Sequence, residues 1–174
     1  MYQLSGGVNM TYQKILVGID GSKQADMAFD KAVETAKLNK AQLYLLSVIN
    51  GEKIPSGGPN GYSLVDRSIY QPAIDTMEKR LNEYKKKAQA AGITDVVTEV
   101  KVGNAKLELA ENYPKNNGID LIVIGATGLN MIGRLIVGST AAYTIREAPC
   151  DVTVVKTDKD NKKVDLKKNS YLEI

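Results

Sequence analysis

Lys14-Ile15-Leu16-Val17-Gly18-Ile19-Asp20-Gly21-Ser22 is an apolar run that closes on a carboxylate, a glycine and a hydroxyl residue. Apolar runs without polar alternation are typical of strands buried on both faces. The strand is read from Lys14 to Asp20, Gly21 supplies the turn after it, and Ser22 is a natural helix N-cap. Beyond it Ala25, Ala28, Phe29, Ala32, Val33 and Ala36 recur at i, i+3, i+4 and i+7, which predicts an amphipathic helix running to about Leu38. A buried strand feeding directly into a helix is the first half of a βαβ unit.

Reading outward, the same alternation repeats. Ala41 to Val48 is a second apolar run of strand length, followed from Asn50 to about Ser68 by a Gly/Pro/Ser-rich connection long enough to form a lid. From about Ile69 to Ala91, the positions Ala73, Met77, Leu81, Tyr84 and Ala88 mark one face of a long helix that Gly92 closes. Val96 to Lys101 alternates like a strand, and Gly103-Asn104 opens a short helix whose last turn Pro114 should kink or shorten. Ile119 to Gly125 is the most apolar strand of the chain. The segment after Gly138 reads as a helix that stops at Pro149, before a last strand from Val152 to Val155. Five such strands alternating with helices predict an α/β fold, a parallel sheet covered on both faces through right-handed crossovers.

Composition bounds the function. A chain of 174 residues, 43% of them hydrophobic, suffices for one buried core and falls short of two ordinary domains. The reading assigns residues 1–13 to a disordered leader, in which Met10 is an alternative start, 14–156 to the folded domain, and 157–174 to a polar tail. The net charge is +3, and the stretch from Lys156 onward, with six Lys against four Asp or Glu, carries most of it. No charge bias points to nucleic acid or an anionic membrane surface. No apolar stretch approaches the roughly 20 residues of a membrane span, and no secretory signal is visible, so the expected location is cytoplasmic. Cys150 is the single cysteine, which excludes an internal disulfide, and its place between Pro149 and a β-branched run suggests an inert thiol. Histidine is absent, which removes the commonest general base and transition-metal ligand.

Chemistry concentrates after the fourth strand. Gly125-Ala126-Thr127-Gly128 is followed, nine residues on, by Gly138-Ser139-Thr140 at the head of a helix. Glycines there let backbone N–H groups approach phosphate oxygens and accept φ > 0 in a sharp turn. A helix N-terminus adds unpaired N–H groups and the positive end of a dipole. Ser139 and Thr140 add hydroxyl donors, and Arg134 inside the loop is within reach of a β or γ phosphate. Gly125 to Gly128 alone is also ordinary turn chemistry.

Gly-x2-Gly-x9-Gly-[Ser/Thr] between an apolar strand and a helix resembles the universal stress protein family in its ATP-binding branch, and the resemblance extends from Lys14 to about Lys156. Further matches are Ile15 to Ser22, Val102-Gly103-Asn104, and Ala148-Pro149-Cys150. The resemblance implies a five-stranded sheet of order 3-2-1-4-5 with nucleotide across the carboxyl ends of strands 1 and 4, where ligands of open α/β sheets generally bind. It places Asp20 against the ribose or a bound metal ion and Val48 beside the adenine; a capping or turn carboxylate and a core valine are the bland readings of the same residues. The cofactor implied is ATP, ADP or AMP, with Mg2+ accompanying the phosphates. Thr127 departs from the family, standing where a basic or aromatic residue is common, as does Asp151, which replaces a proline.

Two other resemblances fail. Ser5-Gly6-Gly7-Val8 lacks the Asp-Ser and the preceding strand of an ATP-pyrophosphatase loop, and Lys101 stands where a receiver domain needs its phosphoacceptor carboxylate. The expected function is an adenine-nucleotide-binding stress or signalling protein, homodimeric through Val152-Thr153-Val154-Val155. The alternatives are a dimeric interaction module without resident nucleotide and a slow nucleotide hydrolase. No His, Glu or Gln is placed by the motif to orient water, so turnover of about one per minute or less is expected.

Overall fold

The computed structural model describes residues 12–51, 67–127 and 137–156. Five parallel strands form one sheet: β1 (Lys14–Gly18), β2 (Gln42–Asn50), β3 (Val96–Gly103), β4 (Leu121–Gly125) and β5 (Asp151–Val155). Their spatial order is β3-β2-β1-β4-β5, as the resemblance implied. The chain therefore winds outward from β1 in one direction and then in the other, with the reversal between β1 and β4.

Each strand sends alternate residues to opposite faces. Ile15, Val17, Leu43, Leu45, Leu121 and Val123 pack under α1 (Lys23–Asn39) and α2 (Gln71–Ala90). Leu16, Tyr44, Leu46, Ile122 and Ile124 pack on the other face against Leu109, Tyr113 and Ala141. Those three belong to a helical stretch after β3 and to α5 (Ser139–Glu147). Most of these strand side chains are almost fully buried, each contributing roughly 1.5–3 kcal/mol of transfer free energy before the entropic cost of ordering it.

Local chemistry sets the element ends. The Ser22 hydroxyl accepts from the Ala25 amide and opens α1, and α1 closes on Lys40 in the left-handed region (φ 55°). Gly92 takes φ 95° just beyond α2. Asn104 accepts from the amides of Lys106 and Leu107 and caps the next helix.

Four expectations need correction. Residues Tyr12 and Gln13, assigned to a disordered leader, are tied into the fold: the Tyr12 hydroxyl donates to Asp151 (2.9 Å), and the Gln13 amide donates to Asp120 (2.7 Å). The third strand runs past Lys101 to Gly103, because β2 pairs with it through Asn50. The first strand ends at Gly18 rather than Asp20, although the Ile19 amide still donates to the Leu46 carbonyl (2.8 Å).

Pro114 does not shorten its helix. The stretch comprises α3 (Ala105–Leu107), a π turn (Glu108–Asn112) and α4 (Tyr113–Asn117), and Pro114 sits in the first turn of α4, where a missing N–H is tolerated. The widened turn before it absorbs the misfit that a proline inside a regular helix would create.

Candidate functional site

The site predicted from sequence lies at the carboxyl ends of β1, β2 and β4. Gly18 is level with Leu46 across β1 and β2, so Val48 and Asp20 both lie two residues beyond that level. Val48 is half-buried, paired with Lys101 of β3, and packs against the core layer under the π turn. Asp20 is half-buried, and its Oδ1 accepts from the Ser22 amide at 2.9 Å. The turn role is therefore real, the helix cap itself being Ser22. That role engages one of the two carboxylate oxygens.

Gly125 is the last residue of β4 and pairs with Val155. A side chain there would place Cβ 2.8 Å from the Gln24 Cβ and 3.0 Å from the Gln24 carbonyl carbon and oxygen. The seating of α1 on β4 is thus by itself a reason for a glycine at this position. Neither Gly125 nor Gly138 has positive φ; in this part of the fold that conformation falls on Gly21, at 85°.

The loop after β4 is pinned at its base. The Ala126 amide donates to the Val155 carbonyl (2.9 Å), and the Gly138 amide donates to the Ala126 carbonyl (2.7 Å). Thr127 is half-buried at the start of the loop. Gly128 and Arg134 lie outside the described residues. Gly138 is the N-cap of α5 with an extended backbone (φ −63°, ψ 157°). The first helical bond runs from the Ala142 amide to the Gly138 carbonyl (2.9 Å), so the amides of Ser139, Thr140 and Ala141 open the helix over a cap with no side-chain acceptor. Ser139 is exposed and Thr140 half-buried. The Thr140 carbonyl receives the Thr144 hydroxyl (2.9 Å).

Asp20, Val48, Gly125, Thr127, Gly138, Ser139 and Thr140 are thus gathered at one end of the sheet, around its reversal of order. A carboxylate on one side and helix amides with hydroxyls on the other suit a ligand that carries sugar hydroxyls at one end and negative charge at the other. Two residues beside the site were missed. Gln24 is buried under Gly125, and Arg80 of α2 lies over Gly21. Gln24 sits one residue from the apolar stripe of α1 and Arg80 one residue from Leu81, so each reads as an ordinary boundary polar residue.

Titration elsewhere follows burial and partners. Burial and the hydrogen bond to Asp26 push the Tyr84 hydroxyl well above the ordinary tyrosine range. Burial, reinforced by Asp120 and Asp151, pushes the Cys150 thiol up to about 11, in keeping with an inert role. Among the described residues no three His, Cys, Asp or Glu side chains are grouped to hold a metal ion, and no helix is long and apolar enough to cross a membrane.

Comparison with known proteins bears on the same residues. The model of the universal stress protein family matches residues 11–156. A protein of Staphylococcus haemolyticus named as a universal stress protein is 37% identical over 149 residues, covering 86% of this chain and 87% of its own. Among solved structures, the universal stress protein UspA from Lactobacillus plantarum superposes with a TM-score of 0.71 at 31% identity, over 84% of this chain and 99% of its own. A universal stress protein solved in complex with cAMP has a TM-score of 0.62 at 27% identity, over 84% of this chain and 98% of its own.

Proposed function

The chain belongs to the universal stress protein family, and from that premise we propose that it binds an adenine nucleotide, with ATP as the favoured ligand, across the carboxyl ends of β1 and β4. The observation that carries the reading is the head of α5. Its opening amides and the Ser139 hydroxyl stand over a glycine cap whose own N–H is already used by Ala126, which leaves a site for phosphate oxygens. Asp20 then faces the ribose, Val48 lies beside the adenine, and Mg2+ accompanies the phosphates. A relative in complex with cAMP supports an adenine nucleotide as the ligand class. Gly128 and Arg134 complete the phosphate loop in this reading.

The protein acts as a homodimer in the cytoplasm, and its output is a change of conformation or partner rather than turnover. Hydrolysis, where it occurs, is on the order of a turnover per minute or less, because the motif itself places no His, Glu or Gln to orient water. Mass spectrometry of small molecules released from the purified, denatured protein tests the reading, with calorimetric titration of ATP alongside. Release of AMP, ADP or ATP, or saturable ATP binding, is expected. A protein that releases none and binds none is the interaction module instead. Metal-dependent turnover above about one per second, lost in Asp20→Asn, would make it an enzyme.

A further inference from the structure

Where α2 crosses the head of α1, the turn that carries Asp20 meets a side chain from outside the site. Gly21, at φ 85°, is the middle of the Asp20-Gly21-Ser22 turn, and Arg80 Nη1 occupies the space into which a Gly21 side chain would project. One helical turn further along α2, the Tyr84 hydroxyl donates to the Asp26 carboxylate of α1. The charges of Asp26, Arg80 and Asp20 all act on that hydroxyl, so the four groups share one corner. Arg80 is half-buried, and among the described residues it forms no ion pair with a carboxylate. It presents the Nη1 end of its guanidinium at the place of the missing Gly21 side chain, with Cζ 2.8 Å and Nη2 3.5 Å from the position of that Cβ.

From inside the turn, Asp20 is held by the bond from the Ser22 amide to Oδ1, at 2.9 Å. Both partners of that bond lie within the turn, so it does not tie the turn to another element. We propose that Arg80 is a positioning residue for this site: lying on Gly21, it keeps the Asp20-Gly21-Ser22 turn closed and fixes the direction in which Asp20 presents its carboxylate. The Tyr84–Asp26 clasp holds α2 at the height where Arg80 reaches the turn. α2, which supplies no residue of the glycine motif, thereby becomes part of the support of the site. The binding consequence rests on the nucleotide reading above; the hold on the turn does not.

Two measurements on the full chain separate these. In the ligand-free protein, Arg80→Ala should speed hydrogen exchange of the Ser22 amide about tenfold, with the amides of Leu45 and Ile122 unchanged and Arg80→Lys intermediate. In calorimetry, Arg80→Ala should weaken adenosine binding about tenfold in the parent and less than about twofold in the Asp20→Asn background, the coupling expected of contacting residues. Unchanged Ser22 exchange overturns the proposal, and so does an equal loss of affinity in both backgrounds, which a general loosening of α2 would produce. A parent that binds no adenine nucleotide overturns the functional reading, and the exchange measurement then decides the role of Arg80 by itself.

Discussion

A methyl group on Gly125 would meet Gln24 at 2.8 Å, with backbone atoms of α1 at 3.0 Å, and backbone cannot yield as a flexible side chain does. Overpacking of this kind costs roughly 1–3 kcal/mol. We expect Gly125→Ala to lower the stability of the ligand-free protein by that amount in urea unfolding, because α1 must lift from β4. Ser139 poses the opposite case. It is exposed at the head of α5, so Ser139→Ala should leave the ligand-free melting temperature within a few degrees. It should weaken ATP binding about 10- to 150-fold, the equivalent of one hydrogen bond to a charged group, and adenosine binding far less. Equal binding of ATP by parent and variant in calorimetry would remove the phosphate role from the head of α5. The motif reading assigned both residues to the phosphate; sequence spacing cannot separate a glycine that admits a ligand from one that admits a neighbouring helix, since both demand the same absence of Cβ.

At the scale of elements, period and capping made most of the fold legible. Alternate residues of β1, β2 and β4 divide cleanly between two core layers, and Ser22 and Asn104 cap helices as their side-chain chemistry requires. The π turn before Pro114 was not legible, because a widened turn leaves no mark in hydrophobic period over five residues. That turn also carries an electrostatic clasp. Glu108 receives Lys101 of β3 at 2.8 Å and Asn112 at 2.9 Å. Burial alone would raise its pKa, but the hydrogen bonds from Lys101 and Asn112 outweigh it and hold the carboxyl below the usual 4.5. A group with a depressed folded value contributes stability that is present above its unfolded value and fades as pH falls through the folded one. Urea unfolding of Glu108→Gln should therefore show a deficit against the parent at pH 7 that shrinks below about pH 4.5. A deficit independent of pH would mean that the clasp acts through packing.

At the scale of the whole molecule, the strand order leaves β3 and β5 at the two edges of the sheet. The two edges differ. β3 carries Glu99 and Lys101 and is joined to the helical stretch through the Lys101–Glu108 pair, and inward-reaching charge of this kind discourages pairing with another strand. β5 reads Asp-Val-Thr-Val-Val, and from Val152 to Val155 it remains half-buried, with Val152 and Val154 packed only in part against the core. An apolar edge left in that state is open to association unless it is covered. A two-fold contact that brings β5 against its copy covers it and closes on itself, leaving no further edge to grow from. The half-buried state of Val154 is the level expected of a side chain that a second copy finishes burying. We therefore expect sedimentation equilibrium to show a dimer at tens of micromolar, and Val154→Lys, confirmed as folded by circular dichroism, to sediment as a monomer because two cations would face each other near the axis. A parent that is monomeric at that concentration, or a variant that dimerises like the parent, would move the contact away from β5.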